Sequence, residues 1–289
     1  MSMSAIYDAP GPIARRRARI ASIVATALIL ALLAWVIYLL ASPRVSANGA
    51  RTPGVFDASR VDILGDPAVW QAVVGGLVGT LQMAAVAAAG AMFIGILFSF
   101  ARLSDASWIR TPTAVVLEFF RGMPILLMML FILLVLSTGP FWAGVLALAV
   151  YNGALIGEAL RAGILSLPRG QREAGLSIGL TKFQTRMQIE FPQAFRQMLP
   201  VIIAQMVVLL KDTSLAYVVG YHELLRSVTN MQNFFGNRYL FTLFAIVVVV
   251  YLSVNLLLSW LARYLARRSG SHTGEVAMTS VGAVGAESA

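Results

Sequence analysis

Long apolar runs separated by short polar stretches set the pattern of this chain. Ile20 to Ala41 is 22 residues without a charge, about 33 Å as a helix and enough to cross a bilayer. A second such run fills the charge-free interval between Asp66 and Arg102. Further spans are predicted from Thr111 to Leu136, from Phe141 to Gly163, from Leu199 to Tyr221, and between Arg238 and Arg263. Charge-free runs longer than 18 residues predict an all-α polytopic membrane protein with six transmembrane helices.

Composition agrees. Hydrophobic residues make up 58% of the 289 residues and charged ones 12%, against roughly 25% in soluble domains. The net charge of +9 is lopsided along the chain rather than spread. With the N-terminus inside, inner segments hold 15 Lys and Arg and outer segments 5. That bias predicts both termini in the cytoplasm and explains the basic balance without nucleic acid. The absence of cysteine excludes disulfides and thiolate metal sites. His222 and His272 are too far apart to form a metal centre, so neither metal nor cofactor is expected.

The expected organisation is a cytoplasmic arm over 1–19, a first helix over 20–41 and an external connector over 42–68. A transmembrane domain over 69–265 follows, with a polar cytoplasmic loop at 164–198, and then a cytoplasmic tail over 266–289, in which the small polar residues from Ser269 to Ala289 predict disorder. The basic cluster Arg15–Arg19 before an apolar run, with Val45-Ser46-Ala47 after it, also has the outline of a signal peptide. The run exceeds the ~7–15 residues of a signal core, so a retained helix is expected.

One polar island, Arg161 to Gln197, speaks to mechanism rather than location. Pro168 offers a helix start, and Gln171 to Ile178 forms a short helix that Gly179 can end in a left-handed conformation. Thr181 and Gln184 have capping-box spacing for a second helix toward Glu190, which Pro192 ends or kinks. Phe183, Met187 and Phe191 give it one apolar face.

The order Glu173-Ala174-Gly175, Gly179, Ile189, Phe191-Pro192 resembles the Glu-Ala-Ala loop of ABC importer permeases, with Gly175 in place of Ala and Phe191 in place of Leu. Gly175 is expected to weaken the first helix by roughly 0.5–1 kcal/mol. Gly76-Leu77-x-x-Thr80-Leu81-Gln82, Glu118-Phe119-Phe120-Arg121-Gly122-Met123-Pro124, Arg161-Ala162-Gly163-Ile164, Pro168-Arg169-Gly170-Gln171 and Lys211-Asp212-Thr213-Ser214-Leu215 are similar to the polar amino-acid branch of that family. The extra first helix and Tyr221-His222-Glu223-Leu224-Leu225 look most like its glutamate-type permeases.

The resemblance implies a type I importer permease fold, two permease subunits (identical or homologous), a cytoplasmic ABC ATPase dimer on the loop, and an extracytoplasmic substrate-binding protein. It also implies an amino-acid substrate moved by alternating access within membrane lipid. The chain is not expected to hydrolyse ATP: Gly170 to Ser177 fits a P-loop only until Leu176 stands where lysine is needed.

Charges within the spans complete the inventory, since each costs at least ~2.5–3.5 kcal/mol in a bilayer. Glu118 and Arg121 share a helix face and form either a self-neutralising pair or part of a binding or gating site. Pro124 is positioned to open that helix. Glu158 and Arg161 repeat the spacing near an inner end, where anchoring is favoured. Lys211, Asp212, Thr213 and Ser214 sit midway along the predicted fifth span; Lys211 and Asp212 point about 100° apart, so each needs a partner elsewhere and the cluster is a candidate for the translocation path. Gly75 and Gly79 offer a small-residue packing surface. A passive channel or ion-coupled carrier is the competing class, and the polar island argues against it. A membrane enzyme is disfavoured because no nucleophile–base cluster appears.

Overall fold

The computed structural model describes residues 11–45 and 51–269. The chain divides into two compact units, Met1–Asp66 and Pro67–Ala289. The tail expected to be disordered lies outside the described residues beyond 269, as do Ser46 and Ala47 of the alternative cleavage site.

In the first unit, α1 (Pro12–Ala41) starts with proline in its first turn, where the missing N–H is no loss. It stops at Ser42, whose amide and hydroxyl both donate to the Tyr38 carbonyl, at 2.9 and 2.7 Å. The helix buries none of its residues, as suits a span whose solvent is lipid. A two-residue antiparallel pairing, β1 (Arg44–Val45) with β2 (Arg51–Thr52), follows.

The second unit is built on α2 (Pro67–Arg102), 36 residues and about 54 Å long. It packs along α5 (Pro140–Leu165), and small residues set the fit. A Cβ added at Gly95 would meet Ile156 Cγ2 at 2.8 Å, and one at Gly153 would meet Ile94 Cγ2 at 2.7 Å. Each isoleucine thus fills the other helix's glycine notch. Between lipid-solvated helices, such close approach supplies the attraction that apolar burial cannot. Met83, Met129, Leu148, Ile156, Leu160 and Leu209 form the centre of the core.

The predicted third span is two helices, α3 (Ser107–Gly122) and α4 (Ile125–Val135), meeting at 103°. Pro124 has no N–H to continue α3, and its ring would collide with the carbonyl four residues back. Its predecessor Met123 takes the extended conformation (φ −86°, ψ 131°) that a following proline favours. Among the described residues, therefore, five helices are long and apolar enough to cross a membrane, or six with the bent pair counted as one span.

The fifth span also differs. It does not begin near Leu199, and Pro192 does not end the helix before it. After α6 (Arg169–Ser177), a helical run continues from Lys182 to Tyr217. It comprises α7 (Lys182–Thr185), a π-helical turn (Arg186–Glu190), α8 (Phe191–Asp212) and a 3-10 turn (Thr213–Tyr217). Pro192 falls in the first turn of α8, and the wider π turn before it makes room for the ring where an α turn would clash. A short amphipathic helix, α9 (Leu224–Phe235), and the last long helix, α10 (Leu240–Ser269), complete the unit.

Candidate functional site

The polar island folds into a hairpin of two helical arms at one end of the bundle. α6 ends as expected: Gly179 has φ +88°, the Gly179 amide donates to Leu176 (3.1 Å) and the Leu180 amide reaches back to Gly175 (3.2 Å). The second arm opens with the expected capping box. The Thr181 amide donates to Gln184 Oε1 at 2.8 Å, and the Gln184 amide donates to Thr181 Oγ1 at 3.3 Å.

Gly175 is where the arms touch. It is buried, and a Cβ there would approach Thr185 Oγ1 and Ile189 Cδ1 to 2.9 Å each. The departure from alanine thus permits close contact between the arms. Glu173, Ala174, Gly179 and Pro192 are exposed and Ile189 is half-buried. Ile178 (75% exposed), Phe183 (62%), Met187 and Leu176 give the hairpin an uncovered apolar surface. Of the face expected from spacing, Phe191 alone turns inward, its ring 5.3 Å from that of Phe100. A cleft of about 570 Å³, bordered by Leu103, Arg172, Glu173 and Glu190, separates part of α6 from the bundle.

The second arm is also tied to the turn after α2. Asp105 accepts contacts from Lys182 Nζ and Arg186 Nη2, each at 3.3 Å. These cations hold the Asp105 carboxyl below its ordinary range, Lys182 contributing most. Sequence reasoning missed this residue. The only signal was two cations four apart on one helix face, which names no partner.

The intramembrane charges are partly brought together. Arg121 donates to Glu118 at 3.0 Å, on the last turn of α3 beside the break. Glu158 and Arg161 form a close pair at 2.6 Å, and Arg102 of α2 approaches Glu158 at 3.9 Å. Lys211 to Ser214 lie near the far end of the continuous helix rather than midway, because that helix starts inside the polar island. The Thr213 hydroxyl donates to the Leu210 carbonyl (2.6 Å) and that of Ser214 to the Lys211 carbonyl (2.9 Å). Among the described residues Lys211 is exposed and Asp212 half-buried, and neither forms an ion pair. A missed polar bridge joins α5 to α8: Gln205 Nε2 donates to Oδ1 of fully buried Asn152 at 2.7 Å.

At the opposite end of α2, the glycine surface is used by Gly76 and Gly79, while Gly75 faces open space. The segment 221–227 seats on it. Tyr221 Oη donates to the Gly79 carbonyl and the Leu224 amide to Thr80 Oγ1, both at 3.1 Å. Glu223, fully buried, caps α9 by accepting from the Leu225 and Arg226 amides at 2.8 and 2.7 Å. Burial pushes its carboxyl above the ordinary range, against the pull of those two amides. His222 is exposed, as expected of a loop histidine, with Nε2 3.3 Å from Ser227 Oγ. Among the described residues no cluster of His, Cys, Asp or Glu suits a metal ion.

The described residues thus form a bundle of helices long and apolar enough to cross a membrane, with a capped polar hairpin running into one of them. Residues 91–271 match the family described as binding-protein-dependent transport system inner membrane component. The chain is 39% identical over 202 residues to the glutamate transport system permease protein GluD of Corynebacterium glutamicum, covering 67% of this chain and 73% of that protein. It is 36% identical over 212 residues to the glutamine transport system permease protein GlnP of Escherichia coli, covering 70% and 95%. A crystal structure of an amino acid ABC transporter with histidines superposes with a TM-score of 0.65 at 29% identity, over 72% of this chain and 99% of that one. The chain belongs to the binding-protein-dependent inner-membrane family, as an ABC permease of the amino-acid uptake type.

Proposed function

We propose that this chain is the permease subunit of an ATP-driven importer for glutamate, working by alternating access. Support comes first from the 39% identity to a glutamate permease. The helical run from Lys182 to Tyr217 supplies the mechanical part: force applied to the hairpin enters a helix that continues into the bundle. A cytoplasmic ATPase dimer docks on the surface from Glu173 to Pro192, burying Ile178, Phe183 and Met187. A second permease subunit completes the pathway within the lipid, and an extracytoplasmic binding protein delivers substrate to the opposite end. Both termini are cytoplasmic, as the Lys and Arg bias requires. ATP is hydrolysed by the partner, not here.

Glutamine is the second reading, favoured by a match that covers 95% of GlnP. The two differ by one carboxylate, and Lys211, exposed and without an ion pair among the described residues, is the cation proposed to receive it. Uptake of labelled glutamate, glutamine and a basic amino acid by the reconstituted complex tests this. Lys211→Met is expected to depress glutamate uptake more than glutamine uptake. Equal loss would assign Lys211 to gating, and stronger wild-type uptake of the basic amino acid would overturn the glutamate reading.

A further inference from the structure

The joint between hairpin and span is the weak point of a simple lever. A π turn followed by Pro192 interrupts the regular ladder between α7 and α8, and such turns are where helices bend. Force on α7 would be partly absorbed there. Asp105 offers a way round. Lys182 lies before the π turn and Arg186 is its first residue; spaced by four, both reach the one carboxylate. Phe100, on the last turns of α2, supports the same contact, 6.0 Å from the Phe183 ring and 5.3 Å from that of Phe191.

We infer that Asp105 is a positioning residue for energy coupling, an ionic staple that makes the second arm of the hairpin move with the end of α2. This inference rests on the permease function proposed above. It gives the hairpin two outputs. One runs through the π joint into α8. The other runs through Asp105 into α2, whose opposite end holds the 221–227 segment through Gly79 and Thr80. α2 is then a rod about 54 Å long linking the ATPase-facing end to the far end of the bundle. The charges around Asp105 are those of Lys182 and Arg186 on the hairpin. Arg102, the last residue of α2, is engaged by Glu158, which also pairs with Arg161.

The test is the number of amino-acid molecules imported per ATP hydrolysed, measured in proteoliposomes holding the whole complex. Asp105→Asn is expected to leave ATP hydrolysis in place and lower that ratio by roughly two- to fivefold, the range of ion pairs made by a carboxylate that is itself more than half exposed. Asp105→Glu should retain most of the ratio, and Asp105→Arg combined with Arg186→Asp should recover part of it. The wild type needs no mutation for a second reading. Because Asp105 and Lys182 are more than half exposed, raising ionic strength should lower its ratio, whereas the ratio of Asp105→Asn should stay flat. A wild-type ratio in Asp105→Asn, or the same salt profile in both proteins, overturns the staple while leaving the permease function intact. A wild-type complex that imports no amino acid on ATP addition overturns that function, and the staple with it.

Discussion

Replacing Gly79 by alanine tests whether α2 is seated on the 221–227 segment as described. The added Cβ would run into the His222 carbonyl oxygen, closer than such contacts occur. That obstacle is backbone, so no rotamer change relieves it. The segment is also pinned on both sides, by the Tyr221 amide to Ala216 at 3.0 Å and the Leu224 amide to Thr80 at 3.1 Å. Overpacking of this kind costs about 1–3 kcal/mol. Lifting the segment would strain the Tyr221–Gly79 and Leu224–Thr80 hydrogen bonds, each about 1 kcal/mol net, and alanine's better helix propensity returns about 0.5–1 kcal/mol. The net expectation is a loss of about 2–4 kcal/mol. Gly75→Ala is the internal control: nothing lies within 4 Å of its Cβ, so only the propensity gain of about 0.5–1 kcal/mol remains. Thermal unfolding of the three purified proteins in one detergent should rank Gly75→Ala at or above wild type and Gly79→Ala lower by roughly 5–10 °C. Equal midpoints for the two variants would refute the seating.

Four further outcomes follow from the geometry. Gly179→Val should abolish ATP-driven uptake with membrane insertion intact, because a β-branched residue resists φ +88°; normal uptake would remove the hairpin argument. Asn152→Ala should lower thermal stability by about 1–3 kcal/mol by stranding Gln205, and Asn152→Leu with Gln205→Leu should recover most of it. A double-mutant cycle on Glu118 and Arg121 should give a coupling of about 1 kcal/mol or less, since Glu118 is 68% exposed; several kcal/mol would place the pair in a dry environment. The Asp105 carboxyl is depressed below 3.8, so its ionised form is the one the fold favours. Its contribution is complete above that value and is lost only as pH falls through the lowered one. The import-to-ATP ratio attributed to it should therefore hold from about pH 7 to about pH 5, and a decline across that window specific to the wild type and absent in Asp105→Asn would contradict the assignment.

Local chemistry carried much of the reading. A charge-free run long enough to cross a bilayer has few other fates, and the apolar lengths alone named the spans that became α1, α2, α5 and α10. Gly179 and the Thr181–Gln184 box were legible because left-handed turns and caps depend on residues within one helical turn of each other. Pro124 marked an opening but not its angle, since the 103° bend depends on what α3 and α4 pack against. Pro192 misled, because the same residue ends a helix or sits in a first turn according to whether the preceding turn widens. Which of Gly75 and Gly76 joined Gly79, why Gly175 replaces alanine, and that Asp105 meets Lys182 and Arg186 were decided only by tertiary structure. Contacts between residues distant along the chain depend on the rotation and crossing of whole helices. Those follow from the summed packing of many side chains, and no short stretch of sequence encodes them.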